Sequence, residues 1–217
     1  MERVRLFADR EGPKRILALG AHSDDIEIGC GGTILRLAAE QCGLEMLWVV
    51  FVATGDRAAE AHASAKAFLE GVPTAKVLVR DYPDRFLPYS GAEVKEEFEA
   101  LKHEFSPDVI FTHYREDRHQ DHRLISDLTW NTWRDHLILE YEVPKYDGDF
   151  GSPNFFAALP SSTIDRKVDL LLKYFRSQQG RHWFTADLFR AVARIRGMEC
   201  NAPEGFAEGF YARKARF

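Results

Sequence analysis

The chain carries the sequence RILALGAHSDDIEIGCGGT at residues 15–33. Its first part, residues 15–21, is a short apolar run without polar alternation, which is typical of a strand buried on both faces of a parallel sheet. A glycine-rich segment follows and leads to residues 33–39, whose apolar and long side chains predict a helix. We therefore expect a strand, a loop and a helix in that order.

The same order is repeated along the first half of the chain. Gly43 is typical of a residue just beyond the C-terminus of a helix. The sequence then predicts strands at residues 44–52, 75–79 and 108–112, and helices at residues 56–70 and 92–105. Strands that alternate with helices form βαβ units, and right-handed crossovers arrange these units in three layers. We predict an α/β fold, a Rossmann-like three-layer sandwich. Its sheet would be mostly parallel, with a strand order of about 3-2-1-4-5.

The second half of the chain has fewer strand signals. Residues 124–139 predict a helix, and residues 142–154, which are rich in Pro, Gly, Asp and Tyr, predict an extended loop, with a lid as one interpretation. The prediction is completed by two helices and a final edge strand, at residues 165–175, 185–196 and 205–211. Because the sequence has neither an internal repeat nor a linker, we expect a single domain over residues 1–217.

The composition excludes several classes of protein. The chain has 217 residues, with 29 Lys and Arg against 34 Asp and Glu, a net charge of −5 and 45% hydrophobic residues. A chain of this length buries about 70% of its unfolded surface, so it needs no structural metal to fold. The slight acidity argues against a nucleic-acid-binding protein, whose affinity comes from neutralised phosphates. We interpret the basic residues near the C-terminus, Arg213, Lys214 and Arg216, as a solvated tail.

Cysteine usage and hydropathy bear on the cellular compartment. The three cysteines, Cys30, Cys42 and Cys200, have no Cys-x-x-Cys spacing, which argues against a disulfide framework and a thiolate zinc site. The first ten residues lack the apolar segment of a signal peptide. The longest apolar run, residues 46–53, is much shorter than the roughly 18 residues that a membrane span needs. We expect a cytoplasmic protein with no membrane span.

Two clusters of metal-binding side chains follow strands of the predicted sheet. The first cluster, His22 to Asp25, follows the first strand, and the second, HYREDRHQDHR at residues 113–123, follows the fourth. In open α/β sheets, ligands bind outside the carboxyl ends of the strands, at the point where the strand order reverses. In the predicted order that point lies between the first and fourth strands. We expect the two clusters to face each other there.

The residue types in these clusters suit a catalytic zinc ion, which typically has three protein ligands and one open position. Of two adjacent aspartates, Asp24 and Asp25, one can bind the metal while the other accepts a proton from water. His119 and His122 are three residues apart at a predicted helix start, so both can reach one site. One of them could bind the metal and the other donate a proton, and the spacing does not decide which.

The two clusters resemble the motifs of the PIG-L/LmbE-like family of zinc-dependent N-deacetylases. The residues that carry this resemblance are Ala-His-Ser-Asp-Asp at 21–25, followed by Gly-Gly-Thr at 31–33, and His-Gln-Asp-His at 119–122. The family motifs have proline at the positions of Ser23 and Gln120, and neither departure adds or removes a ligand. The resemblance extends to residues 54–60 and covers roughly residues 15–125.

The resemblance implies a role for each residue of the site. Three residues would bind the metal: His22, Asp25 and His122. Asp24 would be the general base, and His119 would stabilise the oxyanion and protonate the leaving amine. Asp121 would form a hydrogen bond with a neighbouring imidazole, and Arg57 would contact the substrate. The implied metal is zinc, with Fe²⁺ as the alternative.

The resemblance also implies a reaction, the hydrolysis of the acetamide of an N-acetylated amino sugar or sugar conjugate of the N-acetylglucosamine type. The partner would be this small-molecule or glycan substrate. A hydrolase of another amide or acyl substrate, and a catalytically silent α/β binding module, are the alternatives. The sequence does not decide whether the chain forms a homo-oligomer.

Several residues keep a second interpretation from sequence alone. Residues 29–33 are also compatible with a glycine-rich turn that binds phosphate, with the two aspartates as helix caps. His113 is either a structural histidine or part of the pocket. Asp117 is interpreted as a cap of the following helix rather than a ligand. Asp84 and Arg57 could form a weak surface pair.

Overall fold

The computed structural model describes residues 4, 6–7, 12–40 and 43–216. The strands are β1 (Lys14–His22), β2 (Leu44–Val52), β3 (Thr74–Val79), β4 (Val109–His113), β5 (Leu137–Tyr141), β6 (Phe155–Leu159) and β7 (Phe206–Ala212). The α-helices are α1 (Asp25–Glu40), α2 (Asp56–Phe68), α3 (Gly91–Glu104), α4 (Gln120–Thr132), α5 (Ser161–Tyr174) and α6 (Ala186–Glu199).

One sheet connects all seven strands in the order β3-β2-β1-β4-β5-β7-β6. The strands β1 to β5 are parallel, whereas β7 is antiparallel to both β5 and β6. The predicted α/β fold and the order 3-2-1-4-5 are confirmed. Because β1 lies between β2 and β4, the strand order reverses beside β1, and the carboxyl ends of β1 and β4 meet at one edge of the sheet.

The core lies on both faces of the sheet. Along β1, Ile16 and Ala18 pack into the apolar cluster that includes residues of α1, α2, α5 and α6, while Leu17 and Leu19 pack into the cluster that includes residues of α3 and α4. All four side chains are fully buried. A strand with two buried faces has to be apolar at every position, which explains why residues 15–21 show no alternation.

The glycine-rich segment is helical, so the prediction of a loop that leads to a helix at residue 33 was wrong. Helix α1 begins at Asp25 and includes Gly29 and Gly31. A Cβ atom at Gly29 would lie 2.1 Å from the ring of Tyr141, and one at Gly31 would lie 2.6 Å from the ring of Phe68. These glycines allow α1 to approach large neighbouring side chains closely, and they do not form a turn.

The predicted helix at residues 124–139 was also wrong at its C-terminal end. Helix α4 ends at Thr132, and Leu137–Tyr141 form β5, which pairs in parallel with β4. The apolar spacing of α4 continues into β5, which made the two elements look like one helix. The predicted edge strand exists as β7, but it lies inside the sheet, because β6, which was not predicted, forms the edge.

Two charged segments of the second half are attached to the fold by ion pairs. In the loop at residues 142–154, Glu142 forms a buried pair with Arg196 of α6, with an Nη2–Oε2 distance of 2.8 Å. Arg213 pairs with the fully buried Glu140, with an Nε–Oε1 distance of 2.6 Å, so the interpretation of a solvated tail was wrong for Arg213.

Among the described residues, no helix is long and apolar enough to cross a membrane.

Cys30 and Cys200 are free thiols, and Cys42 lies outside the described residues.

Candidate metal and catalytic site

The two predicted clusters lie against each other at the carboxyl ends of β1 and β4. His22 is the last residue of β1, and Asp25 is the first residue of α1. His119 directly precedes α4, and His122 lies in its first turn. His22 Nδ1 is 3.1 Å from His122 Nε2, although the two residues are 100 positions apart in the sequence. The topology thus brings together side chains that follow two neighbouring strands.

Three ligand atoms of this cluster form a nearly equilateral triangle. Its sides are 3.1 Å from His22 Nδ1 to His122 Nε2, 3.3 Å from His22 Nδ1 to Asp25 Oδ2, and 3.4 Å from His122 Nε2 to Asp25 Oδ2. Ligands about 2.1 Å from a tetrahedral metal are separated by about 3.4 Å. The residues present therefore fit a divalent metal with two imidazole ligands and one carboxylate ligand.

Neighbouring groups hold the three side chains in place. Asp25 Oδ2 accepts a hydrogen bond of 2.6 Å from the backbone N–H of His22. Asp117 Oδ2 lies 2.9 Å from His122 Nδ1, and Asp121 Oδ2 lies 3.3 Å from His22 Nε2. Carboxylates that bind the outer nitrogen of a ligand imidazole fix its tautomer and its orientation.

The electrostatics of the cluster favour a cation. Burial raises the pKa of Asp25, but the neighbouring His122, His113 and His22 outweigh this effect and hold its pKa well below the usual value. Burial and the adjacent His113 lower the pKa of His122 to about 4. Burial lowers the pKa of His22, but Asp25 and the carboxylates of Asp121 and Asp84 outweigh burial and raise it. A charged Asp25 and a neutral His122 suit a bound metal, and at His22 a metal would supply the positive charge in place of the proton that these carboxylates favour.

Asp24 lies beside the triangle with one oxygen engaged and one free. Its Oδ1 is 3.0 Å from Arg57 Nη2. Its Oδ2 is buried and has no hydrogen-bond partner within the described part of the chain. Burial raises the pKa of Asp24 to about 6, although Arg57 counteracts this rise. A carboxylate with this pKa and a free oxygen can accept a proton near neutral pH.

His119 lies on the more open side of the cluster. Its ring centroid is 4.8 Å from that of His22 and 4.6 Å from that of His122. Its Nδ1 accepts a hydrogen bond from the backbone N–H of Asp121, so the proton of the neutral ring is on Nε2. Burial and the adjacent His22 lower the pKa of His119.

Other histidine and acid combinations overlap with the triangle. One such group has a ring nitrogen from each of three histidines, all within 4.8 Å of one another: His22, His119 and His122. A second group, with ligand atoms equally close, consists of Asp25, His113 and His122. However, His113 Nε2 already accepts a 2.9 Å hydrogen bond from the backbone N–H of Ala21. A ring nitrogen has one lone pair, so this contact favours His22 over His113 as a ligand. His113 is fully buried and stacks on His122 with 3.9 Å between ring centroids.

Sequence reasoning missed two positioning contacts. The interpretation of Asp117 as the helix cap was wrong, because His119 caps α4. Asp117 Oδ1 accepts a hydrogen bond from the backbone N–H of His119, and Asp117 Oδ2 binds His122. Lys145, from the loop at residues 142–154, donates a 2.8 Å hydrogen bond to the same oxygen. The position of Asp117 two residues before His119 was a usable signal. The contact of Lys145 had no such signal, because Lys145 lies 28 residues after Asp117, in a loop.

Asp84 and Arg57 contact other residues of the site instead of forming the surface pair considered above. Arg57 forms its ion pair with Asp24. Asp84 Oδ1 instead lies 3.3 Å from His22 Nε2, next to Asp121. Asp84 therefore belongs to the surroundings of His22, and Arg57 to the surroundings of Asp24.

The alternative of a phosphate-binding turn does not fit the structure. The backbone N–H groups of Gly32 and Thr33 donate to the buried carboxylate of Glu208, at 2.8 and 2.7 Å. Glu208 is neutralised by Lys167, whose Nζ lies 2.6 Å from its Oε1. An internal anion thus occupies the donors that a phosphate would need.

Comparison with known proteins gives consistent findings. Residues 17–133 match the sequence model of the family described as PIG-L: GlcNAc-PI de-N-acetylase. The chain is 29% identical over 179 residues to a protein of Escherichia coli (strain K12) named uncharacterized deacetylase YaiS, and this match covers 78% of the chain and 95% of that protein.

The fold is shared by solved structures, among them two with different named activities. The N,N'-diacetylchitobiose deacetylase from Pyrococcus horikoshii has a TM-score of 0.72 and 23% identity, and the match covers 94% of this chain and 84% of that one. GalB, the 4-carboxy-2-hydroxymuconate hydratase from Pseudomonas putida KT2440, has a TM-score of 0.69 and 20% identity, over 94% of this chain and 98% of that one. A fold that also occurs in a hydratase does not define the reaction, so the chemistry has to be argued from the site.

Proposed function

Because this chain belongs to the PIG-L family, we propose that it is a metal-dependent hydrolase that removes the acetyl group from an N-acetylated amino sugar or sugar conjugate. The observation that carries the proposal is the triangle of His22, Asp25 and His122 next to an aspartate with a free oxygen. A triangle of ligand atoms alone would suit many metal sites. The adjacent Asp24 adds the proton acceptor that hydrolysis of an amide needs.

In this proposal His22, Asp25 and His122 hold the metal, which we propose to be zinc, with Fe²⁺ as the alternative. Two imidazoles and one carboxylate without thiolates are typical of catalytic rather than structural zinc sites. When bound, a divalent metal supplies Lewis-acid chemistry that polarises the substrate carbonyl and makes water more acidic. The carboxylate of Asp121 contacts Nε2 of His22 and fixes the orientation of that imidazole.

The other residues move the protons. Asp24 Oδ2 accepts a proton from the attacking water, and the water oxygen forms a bond with the acetamide carbonyl carbon. His119 donates its Nε2–H as a hydrogen bond to the negatively charged former carbonyl oxygen. A neutral ring that lost this proton would become an imidazolate, so the leaving nitrogen takes up the proton that Asp24 accepted from water, in place of the proton donation by His119 that the resemblance implied. The carbon–nitrogen bond breaks, and acetate and a free amine are released. Arg57, whose side chain is one-third exposed, is positioned to contact the substrate.

The proposed substrate class is supported by the names of the relatives. The matching family is described as a GlcNAc-PI de-N-acetylase, and the Pyrococcus horikoshii protein is an N,N'-diacetylchitobiose deacetylase. Both names point to N-acetylated amino sugars. The groups around Asp24 and His119 act on the acetamide itself, so the sugar-specific contacts have to come from other parts of the site.

The test measures bound metal and amine release in the purified wild type and in Asp24→Asn. The panel contains N-acetylglucosamine, N,N'-diacetylchitobiose and a simple N-acetylated amino acid. We expect about one metal ion per chain in both proteins, and at least a 100-fold lower turnover in the variant, because the loss of a general base typically costs a factor of about 10² to 10⁴. The exposed Asp127 of α4 gives the matched control, Asp127→Asn, which should retain full activity.

Two results would contradict the proposal. A wild type that is fully loaded with metal but releases no amine from any compound would support the silent binding module. A fully active Asp24→Asn variant would exclude Asp24 as the base. Turnover of the amino acid alone would keep the mechanism but replace the sugar by another amide substrate.

A further inference from the structure

The side chain of Arg57 is held by a buried serine. Ser23 is fully buried in the turn between β1 and α1, and its Oγ accepts hydrogen bonds from Arg57 Nε at 2.9 Å and from Arg57 Nη2 at 2.7 Å. The same Nη2 lies 3.0 Å from Asp24 Oδ1. The guanidinium group therefore joins the hydroxyl of Ser23 to one oxygen of Asp24.

The hydroxyl is needed for this arrangement. Arg57 lies in the first turn of α2, and its side chain is one-third exposed, so it has an open route to solvent. A guanidinium beside a single carboxylate oxygen can rotate away, whereas the hydrogen bonds that Nε and Nη2 donate to Ser23 Oγ fix its plane and its position. Proline, which occupies this position in the family motif described above, has no hydroxyl, so the contact is specific to the serine of this chain.

We propose that Ser23 is a positioning residue that acts through Arg57. It holds the guanidinium against Asp24 Oδ1, so that Oδ1 is engaged and Oδ2 is the only oxygen left to accept a proton from water. Asp24 Oδ2 has no hydrogen-bond partner in the part of the chain that the structure describes, which agrees with these different roles of the two oxygens. The inference rests on the proposed function, because it assigns the free oxygen to catalysis.

A double-mutant cycle tests the path through Arg57. The variants are Ser23→Ala, Arg57→Met and the double variant, and kcat and KM for the best N-acetylated substrate are measured separately. We expect Ser23→Ala to lower kcat about tenfold, since hydrogen bonds to a charged group are strong, and to change nothing further in the Arg57→Met background. A serine with a purely structural role would lower kcat by the same factor in both backgrounds, which would overturn the inference.

A second readout does not depend on activity. The Nε–H signal of Arg57 in ¹⁵N–¹H spectra, identified by its loss in Arg57→Met, should be protected from exchange in the wild type and lose protection in Ser23→Ala. Ser126→Ala is the matched control, because Ser126 is also fully buried and its Oγ has no hydrogen-bond partner among the described residues. This control should keep both the signal and the activity.

The two readouts separate the inference from the proposed function. An inactive wild type in which the Arg57 signal still depends on Ser23 would count against the proposed function and support the Ser23 contact. An active wild type in which the signal is unchanged in Ser23→Ala would overturn the inference and leave the proposed function intact.

Discussion

Asp117 controls the orientation of a proposed metal ligand without being one. Its buried Oδ2 binds both His122 Nδ1 and Lys145 Nζ, at 2.9 and 2.8 Å. Burial raises the pKa of Asp117, but the contact with His122 and the charge of Lys145 outweigh burial and hold its pKa well below the usual value. The carboxylate is therefore charged, and it holds the imidazole of His122 with Nε2 toward His22 and Asp25.

We expect Asp117→Asn to weaken metal binding by a factor of about 10 to 100, which is typical for the loss of a carboxylate behind a ligand imidazole. The metal dissociation constant can be measured by competition with a chelator. Asp127→Asn, which changes an exposed carboxylate of α4, should bind metal as the wild type does. Equal affinities of Asp117→Asn and wild type would contradict the role of Asp117.

Much of the site follows from sequence at the level of residues. His22, Asp25 and His122 could be placed together because each lies at the end of a strand or at the start of the next helix, and such positions converge in a parallel sheet. Lys145 could not be placed, because its contact with Asp117 depends on the path of the loop at residues 142–154. The dual contact of Ser23 was equally inaccessible, since it depends on the direction of the Arg57 side chain.

At the level of elements, α1 shows what glycine contributes to the site. Gly29 faces Tyr141, whose hydroxyl donates a 2.7 Å hydrogen bond to the backbone carbonyl of Leu19. The close approach of α1 to β5 sets the position of the first turn of α1, and therefore of Asp25. Sequence patterns identify the glycines but not their purpose, because close packing and tight turns use the same residue.

We expect Gly29→Ala to lower the free energy of unfolding by about 1–3 kcal/mol, because the new methyl group would lie 2.1 Å from a ring carbon of Tyr141 and overpack the core. Urea denaturation measures the change. Gly91→Ala is the control, since a Cβ there meets no atom within 4 Å and the backbone at Gly91 has helical angles. This control should be as stable as the wild type or slightly more stable. An unchanged midpoint for Gly29→Ala would contradict the close packing of α1 against β5.

At the level of the whole molecule, the first four strands and β7 were predicted as strands, whereas β5 was predicted as part of a helix and β6 was not predicted. The parallel order follows from alternating strands and helices, whose connections allow few topologies. The antiparallel pairing of β6 and β7 depends on contacts between segments about 50 residues apart, such as Phe155 with Phe210. The consequence for function is limited, because the triangle of His22, Asp25 and His122 lies at the β1 and β4 edge.

Removal of the metal should therefore lower stability without unfolding the chain, since both core clusters consist of apolar side chains and include none of the three proposed ligands. A metal at about 100 times its dissociation constant adds about 2.7 kcal/mol. In a chain of this size that corresponds to a shift of about 5–10 °C in Tm. We expect calorimetry to show this drop after chelation and its recovery after zinc is added back, while far-ultraviolet circular dichroism at 25 °C stays unchanged. His122→Ala should show no response to zinc in the same experiment. Loss of the dichroism signal on chelation would instead indicate a structural metal, and it would contradict a site built only for chemistry.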